Sequence, residues 1–221
     1  MSNVTVLHDE AIVELARSLV ERGRAAAARR VIVGIAGVPG SGKSTLAARL
    51  RAAVEAEAAG LAVVVAMDGF HMTNAALRSA GLASRKGSPE TFEAARYVAL
   101  LRRCRDCEHV ERVPIYDRAV HEPRLSDEPG CAVTRATRVI ITEGNYVLLD
   151  REPWSELADV LDEGWLLDVP AAWARAWLLE RHMRTGRSRA EAERKCEGDA
   201  LNAGLVRSGS RAADRVLCWP T

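Results

Sequence analysis

One run of eight residues restricts the structure of this chain more than any other feature of its sequence. Residues 37–44 are Gly-Val-Pro-Gly-Ser-Gly-Lys-Ser, which fits the pattern G-x-x-x-x-G-K-[ST]. The apolar run Val31 to Ala36 precedes it, and residues from about 44 to 59 have the pattern of an amphipathic helix that ends near Gly60. A strand, a glycine-rich turn and a helix in this order are the context that the pattern requires.

Each residue type in this run suits the binding of a nucleotide phosphate. Glycines allow positive φ and a close approach of phosphate to the backbone, and successive N–H groups form a concave anion site at a helix N-terminus. Lys43 can reach the β- and γ-phosphates, and the Ser44 hydroxyl can bind Mg²⁺. The alternative is an ordinary glycine-rich strand-to-helix turn. We expect ATP and Mg²⁺ as the bound groups, on residues Gly37, Val38, Pro39, Gly40, Ser41, Gly42, Lys43, Ser44 and Thr45.

The rest of the chain alternates apolar strand-like runs with segments of helical periodicity. This pattern predicts an α/β fold with a parallel sheet flanked by helices, the three-layer arrangement of P-loop NTPases, in a single domain over residues 1–221. Further strands are expected at 61–67, 139–141, 165–167 and 216–218, and helices at 9–29, 91–105, 171–183 and 189–206.

Composition excludes several classes of function. The net charge is +1, so no strong field attracts nucleic acid or an anionic membrane, and no stretch approaches the ~20 apolar residues of a membrane span. The first ten residues lack a signal-peptide pattern, and five cysteines without framework spacing indicate thiols. We therefore expect a cytoplasmic protein with no nucleic-acid or membrane partner. Lysine occurs only at Lys43, Lys86 and Lys195 in an arginine-rich chain, which makes Lys43 informative.

Two acids follow predicted strands. Asp68 comes after the second strand and Glu143 after the third, and the carboxyl ends of parallel strands meet at one edge of the sheet. Phosphoryl transfer to an alcohol needs an acid that positions the metal and an acid that accepts the hydroxyl proton. We assign Asp68 as the general base and Glu143, with Ser44, to Mg²⁺. The sequence leaves the reverse assignment open, in which Asp68 binds the metal, as well as a turn or cap role for either acid.

Arginines are concentrated around a Thr185-Gly186 break and predict a small helical lid at about 175–190. A lid that closes on a nucleotide needs a mobile break and cations that offset transition-state charge. The alternative is a solvated basic helix face. Among Arg175, Arg181, Arg184, Arg187 and Arg189, we choose Arg175 and Arg184 as the catalytic pair.

Two long polar connections, 69–90 and 114–131, suit a polar, polyhydroxylated acceptor, since long ordered loops are usually functional. Their basic groups also leave room for an acceptor that carries a carboxylate or phosphate. Each of these side chains could instead be an ordinary surface group. The candidates are Phe70, His71, Asn74, Arg85, Lys86, Tyr116, Arg118, His121 and Arg124, whereas the five tryptophans are expected mainly in the core or at subunit contacts.

Four segments in this order resemble the P-loop kinase superfamily of uridine kinase, phosphoribulokinase and bacterial type I pantothenate kinase. They are Gly37 to Thr45, Met67 to His71, Pro114 to Arg118 with His121, and Glu143 to Tyr146. The segment Lys86 to Phe92 is similar to that of the nucleoside/nucleotide kinase-like, or fructose-transport-associated kinase-like, subgroup. The resemblance spans about residues 30–215.

The resemblance implies roles for individual residues. Asp68 matches the catalytic aspartate and Glu143 the acid near Mg²⁺, while Arg175 and the arginines after it match the lid. Gly198 departs from the subgroup, which usually has Asn there, and this leaves room for a specialised substrate. Tyr116 and His121 match the acceptor-side segment of the family, and we add Asn145 and Tyr146, from the segment Glu143 to Tyr146, to the candidate acceptor residues.

We therefore expect an ATP-dependent kinase that phosphorylates a hydroxyl of a nucleoside, sugar or pantothenate-like metabolite, or of a specialised natural product or antibiotic. Related kinases are often oligomeric, which suggests a homodimer. The competing functions are a P-loop NTPase that acts as a switch or assembly factor, and a non-catalytic nucleotide-binding module. The chain has no Asn-Lys-x-Asp segment of the kind that reads guanine in switch GTPases.

Overall fold

Strands and helices alternate along the computed structural model, which describes residues 4–26, 28–128 and 130–220. Short 3₁₀ helices lie at Met67–Phe70, Ala83–Arg85, Pro89–Thr91 and Trp154–Asp159. The strands and α-helices, in chain order, are β1 (Val4–Val6), α1 (Asp9–Ala25), β2 (Val31–Ala36), α2 (Lys43–Glu57), β3 (Ala62–Ala66), α3 (Asn74–Ser79), α4 (Ala94–Cys104), β4 (Glu111–Arg112), β5 (Pro114–Asp117), β6 (Glu122–Leu125), β7 (Ala132–Val133), β8 (Val139–Glu143), β9 (Glu163–Leu167), α5 (Ala171–Arg184), α6 (Arg189–Gly209) and β10 (Arg215–Cys218).

Six strands form one parallel sheet in the order β1-β10-β9-β2-β8-β3. All six residues of β2 are buried, as expected for a central strand covered on both faces. Helices α1 and α2 pack on one face through side chains such as Leu19 and Leu50. Helix α4 and the 3₁₀ helix at Trp154 cover the other face, where Tyr97 is fully buried. The predicted three-layer α/β fold is therefore confirmed.

The strands and helices expected from the sequence are present. The structure differs from the prediction in short segments, where few residues carry a strand or helix pattern. Strand β1 was not predicted because its three residues form too short a run, and it pairs with β10 at the edge of the sheet. The connection 114–131 contains the β5–β6 hairpin, whose polar residues hide its strand pattern. Helix α4 begins at Ala94 because a 3₁₀ turn, Pro89–Thr91, precedes it.

A search of the described residues for a helix that is both long and apolar enough to cross a lipid bilayer finds none.

A buried arginine joins the end of α4 to the segment before β8. Arg30 is fully buried, and six backbone carbonyl oxygens lie within hydrogen-bond distance of its guanidinium, so at least one of its five N–H groups is shared between two acceptors. Burial is the main influence that lowers the pKa of this group, so the carbonyl oxygens must replace the water that it loses. The acceptors are the carbonyl groups of Cys104, Asp106, Cys107, His109, Thr134 and Thr137.

We predict that Arg30→Met lowers the free energy of unfolding by about 3–5 kcal/mol, because it leaves buried carbonyl groups without donors. Urea denaturation measures the change. The neighbouring Arg29→Met is the matched control, since the Arg29 side chain is 61% exposed and its ion pair with Asp162 should contribute no more than about 1 kcal/mol. Equal losses in the two variants would contradict the role given to Arg30.

Candidate functional site

A cavity of about 510 Å³, called the main cavity below, lies where the carboxyl ends of β2, β3 and β8 meet. Its wall also includes residues of the β5–β6 hairpin, α5 and α6. Apart from the lid arginines, thirteen of the residues expected from the sequence line it: Pro39, Gly40, Lys43, Ser44, Asp68, His71, Asn74, Lys86, Tyr116, Arg118, His121, Glu143 and Asn145.

The glycines of the phosphate loop have the conformations that its sequence requires. Gly40 and Gly42 have φ values of 79° and 91°, in the left-handed region that favours glycine. A Cβ on Gly37 would lie 2.7 Å from the Leu167 carbonyl oxygen, so no larger residue fits there without a shift of the backbone. Gly42 precedes the first turn of α2, whose N-terminus supplies unpaired N–H groups. This backbone suits an anion such as a phosphate.

Lys43, the first residue of α2, is a buried cation. Its Nζ donates to the Val38 carbonyl oxygen at 2.9 Å. Burial lowers the pKa of Lys43 to about 8, against the charges of Glu143 and Asp68, which raise it. A bound phosphate would replace the missing solvation, so this lysine is suited to an anionic ligand.

The sheet register places Glu143 beside the phosphate loop. Glu143 pairs with Ile35 of β2 and Ala66 of β3, and the Ser44 hydroxyl donates to its Oε1 at 2.9 Å. Burial and then the charge of Asp68 raise the pKa of Glu143. The hydroxyl of Ser44 and the carboxylates of Glu143 and Asp68 are hard oxygen donors, so the chemistry of this set fits Mg²⁺.

Asp68 lies in the 3₁₀ turn after β3, next to aromatic and basic side chains. Arg118 Nη2 lies 3.8 Å from Asp68 Oδ2, and His71 Nδ1 lies 4.0 Å from Oδ1. Burial lowers the pKa of His71, which favours a neutral ring whose Nδ1 donates to the Asp68 carbonyl oxygen at 2.9 Å. The His71 ring packs between Phe92 and Tyr116, with ring centroids 4.0 and 4.7 Å away.

Two candidate acceptor contacts lie behind the cavity wall. Phe70 and Tyr146 are fully buried in the core and do not line the cavity. Phe70 packs on Tyr97, and the Tyr146 hydroxyl donates to the Gly87 carbonyl oxygen at 2.7 Å. We therefore propose that both support the wall. Residue type and position in a loop, on which they were selected, do not distinguish residues that line a cavity from residues one layer deeper.

The choice among the lid arginines changes with the structure. Arg175 lines none of the described cavities, whereas Arg184 forms an exposed ion pair with Glu180 and lines a neighbouring cleft beside Gly40 and Gly42. Arg181 and Arg187 line the main cavity instead. Ala174, Leu178 and His182 form the buried stripe of α5, and this packing decides which arginines turn toward the cavity.

Helix α6 contributes polar groups that the sequence analysis did not single out. Lys195, Asp199 and Asn202 line the cavity, and Asp199 Oδ2 lies 3.2 Å from Nε2 of His182. Asp199 and Asn202 lie in the stretch that contains the Gly198 departure. That departure was the only local signal pointing to this helix.

A second cleft, of about 570 Å³, adjoins the phosphate loop and is called the tryptophan cleft below. Trp173, Trp177 and Trp219 line it, together with Gly40, Gly42, Thr45 and Arg181. Trp219 Nε1 donates to the Ser41 carbonyl oxygen at 2.9 Å. The other two tryptophans, Trp154 and Trp165, are buried in the core, so only these two match the expectation of core positions.

Comparison with known proteins finds relatives that include proteins named as kinases. The chain is 33% identical over 198 residues to the "Putative uridine kinase" of Schizosaccharomyces pombe, with 86% of this chain and 83% of that protein covered. It is 35% identical over 193 residues to YggC of Escherichia coli, with 86% and 78% covered. A crystal structure described as a "putative fructose transport system kinase" from Silicibacter sp. TM1040 has a TM-score of 0.82 and 35% identity, over 95% of this chain and 98% of that one.

The profile of the Methylmalonyl Co-A mutase-associated GTPase MeaB family matches residues 3–75. This part covers about a third of the chain and contains the phosphate loop, which GTPases and kinases share.

We predict that Lys43→Met stabilises the protein at pH 7 by up to about 3 kcal/mol. The pKa of Lys43 falls from 10.5 to about 8 on folding, so the unfolded chain binds more protons between these values. Stability of the wild type therefore rises as pH increases from about 8 to 10.5, and the advantage of the variant shrinks.

Urea denaturation at pH 7 and pH 10 measures this effect. The exposed Lys195→Met is the matched control, and it should stay within about 0.5 kcal/mol of the wild type at both pH values. A Lys43→Met variant less stable than the wild type at pH 7 would show that burial does not penalise this lysine.

Proposed function

Because this chain belongs to the P-loop kinase superfamily that includes uridine kinase, we propose that it transfers the γ-phosphoryl group of ATP to a hydroxyl of a polar metabolite. The observation that carries the proposal is the position of Asp68. Its carboxylate shares one cavity with Lys43, Ser44 and Glu143, and with the polar wall around Tyr116. A phosphate-binding end and an acceptor-binding end thus meet at a carboxylate.

The proposed transfer is a direct in-line displacement. The acceptor hydroxyl donates its proton to Asp68 as its oxygen forms the new P–O bond, and the bond from phosphorus to the leaving diphosphate breaks. Lys43, Arg181 and Arg187 offset the charge that develops on the transferring group. Ser44 and Glu143 would hold Mg²⁺, which would supply Lewis-acid neutralisation of the phosphate oxygens when bound, and metal binding by Asp68 is the alternative assignment.

We propose that the tryptophan cleft receives the base of the nucleotide. The cleft shares Gly40 and Arg181 with the main cavity, so a nucleotide can extend from one to the other across the phosphate loop. Trp177 is 39% exposed, and its ring centroid lies 6.1 Å from that of Trp173. Exposed indole rings beside a phosphate site are suited to stacking on a purine.

The second candidate function is an NTPase switch, which the match to a GTPase profile over residues 3–75 favours. The sequence lacks a guanine-reading segment, and the cavity has an acceptor wall built from residues outside that range, including Tyr116, Lys195 and Asp199. A release of ADP that rises on addition of an acceptor separates a kinase from a switch.

The homodimer and the cytoplasmic location expected from the sequence remain predictions.

We predict that Asp68→Asn lowers kcat for the true acceptor by about 10²–10⁴-fold, because the amide cannot accept the hydroxyl proton. The assay is ADP release from Mg·ATP with a panel of nucleosides, sugars, sugar phosphates, pantothenate and antibiotics. ATP affinity, measured by calorimetry, should remain close to that of the wild type. Asp127→Asn is the matched control, since Asp127 is 87% exposed and does not line the cavity. Near wild-type turnover by Asp68→Asn would refute the general-base role.

We predict that Trp177→Ala raises KM for ATP by about 3–10-fold and leaves KM for the acceptor unchanged, because one stacking surface is lost. Steady-state kinetics measures both constants. Leu201→Ala is the control, since Leu201 is 80% exposed on α6 and lines no described cavity. An unchanged KM for ATP would place the base elsewhere.

A further inference from the structure

All three lysines of the chain line the same cavity. The sequence has 31 lysine and arginine residues, of which only Lys43, Lys86 and Lys195 are lysines, and each lies on the wall of the main cavity. Within the part of the chain that the structure describes, the cations of the ion pairs are arginines and histidines. In this chain lysine therefore occurs only on the wall of the main cavity. Lys43 belongs to the phosphate loop, which leaves Lys86 and Lys195 without an assigned role.

We infer that Lys86 and Lys195 bind an anionic group of the acceptor, a carboxylate or a phosphate ester. This inference deepens the proposed function and rests on it, because it concerns the second substrate of the same cavity. It narrows the acceptor from any polar alcohol to one that is already charged.

The two lysines lie on the acceptor side of Asp68. Lys86 Nζ lies 5.5 Å from the centroid of the Tyr116 ring, whose centroid is 4.7 Å from that of His71, and His71 Nδ1 lies 4.0 Å from Asp68 Oδ1. The charges that act on Lys43 are those of Glu143, Asp68 and Arg181. Those that act on Lys86 are Glu122 and Lys195, so the cavity has two separate cationic ends.

Lys86 is held in place by neutral groups. Its Nζ donates to Asn74 Oδ1 and to the His121 carbonyl oxygen, each at 2.6 Å. Among the described residues no carboxylate lies within 4 Å of this ammonium, and the nearby Glu122 carboxylate accepts a hydrogen bond from the Asn74 backbone N–H at 2.9 Å. An ammonium has three donors, so one N–H remains for a ligand.

Lys195 approaches the same place from α6. Its Nζ lies 3.5 Å from the Lys86 carbonyl oxygen, and its charge lowers the pKa of Lys86 after the larger effect of burial. The acid of α6 that lines the cavity, Asp199, is engaged by His182 at 3.2 Å. Two like charges held close together without a carboxylate between them are stabilised by a bound anion.

The first experiment compares acceptors that differ only in charge. A three-carbon polyol and a six-carbon sugar are each supplied as the neutral alcohol, the hydroxy acid and the phosphate monoester, and Mg·ATP-dependent ADP release is measured. We expect kcat/KM for an anionic form to exceed that of its neutral counterpart by about 100-fold, from two ammonium contacts of about tenfold each. The acid and ester arms identify which anion is preferred.

Variants of the two lysines locate the effect. Lys86→Met and Lys195→Met should each raise KM for the anionic acceptor about tenfold, with kcat less affected and KM for ATP unchanged. Arg194→Met is the matched control, because it removes the same charge from α6 at a position that does not line the cavity. A neutral acceptor used as well as its anionic forms, with no dependence on either lysine, would overturn the inference and leave the kinase proposal intact.

Amine labelling tests the inference independently of turnover. Each panel compound is added before acetylation of the protein, and the modification of each lysine is quantified by mass spectrometry. Protection of Lys86 and Lys195 by an anionic form, but not by its neutral counterpart, would support the anion site even if no compound stimulates ADP release. Equal labelling of both lysines with and without every anionic compound would refute it.

Discussion

The parallel pairing of β2 with β8 and β9 is the constraint on which the site depends. Because β2 is buried along its whole length, its hydrogen bonds fix the register of both neighbours. That register sets Glu143 opposite Ile35, two residues before the phosphate loop begins at Gly37, and the Ser44 hydroxyl lies 2.9 Å from Glu143 Oε1. Arg30, directly before β2, anchors the other end of the strand to the loops around it.

The site holds charges in an environment that disfavours them. Burial lowers the pKa of Lys43 and raises the pKa of Glu143, so both charged forms are penalised in the protein without ligand. A phosphate and a divalent cation would each compensate one of these groups, which links stability to ligand binding. This is a physical reason why an active site lowers the stability of the fold that carries it.

The main cavity is asymmetric in charge and chemistry. The phosphate loop supplies backbone N–H groups and a buried lysine, whereas the other end has aromatic rings, amides, the partly exposed Lys86 and the exposed Lys195. Asp68 lies between these ends, next to His71 and Arg118. The relatives share the overall fold with this chain, and the side chains around Lys86 and α6 are where we expect the choice of acceptor to be made.

The sequence by itself determined the fold class, the phosphate loop and the positions of Asp68 and Glu143, because each depends on residue types within a short window or on the end of an apolar strand. The tertiary structure alone decided which arginines and which residues of α6 line the cavity, and that three tryptophans surround a cleft. Phe70 and Tyr146, predicted as acceptor residues, have fully buried side chains, which their positions in the sequence did not reveal. Helical spacing in the sequence identifies the apolar and polar faces of a helix. Packing against distant parts of the chain decides which of these faces lines a cavity.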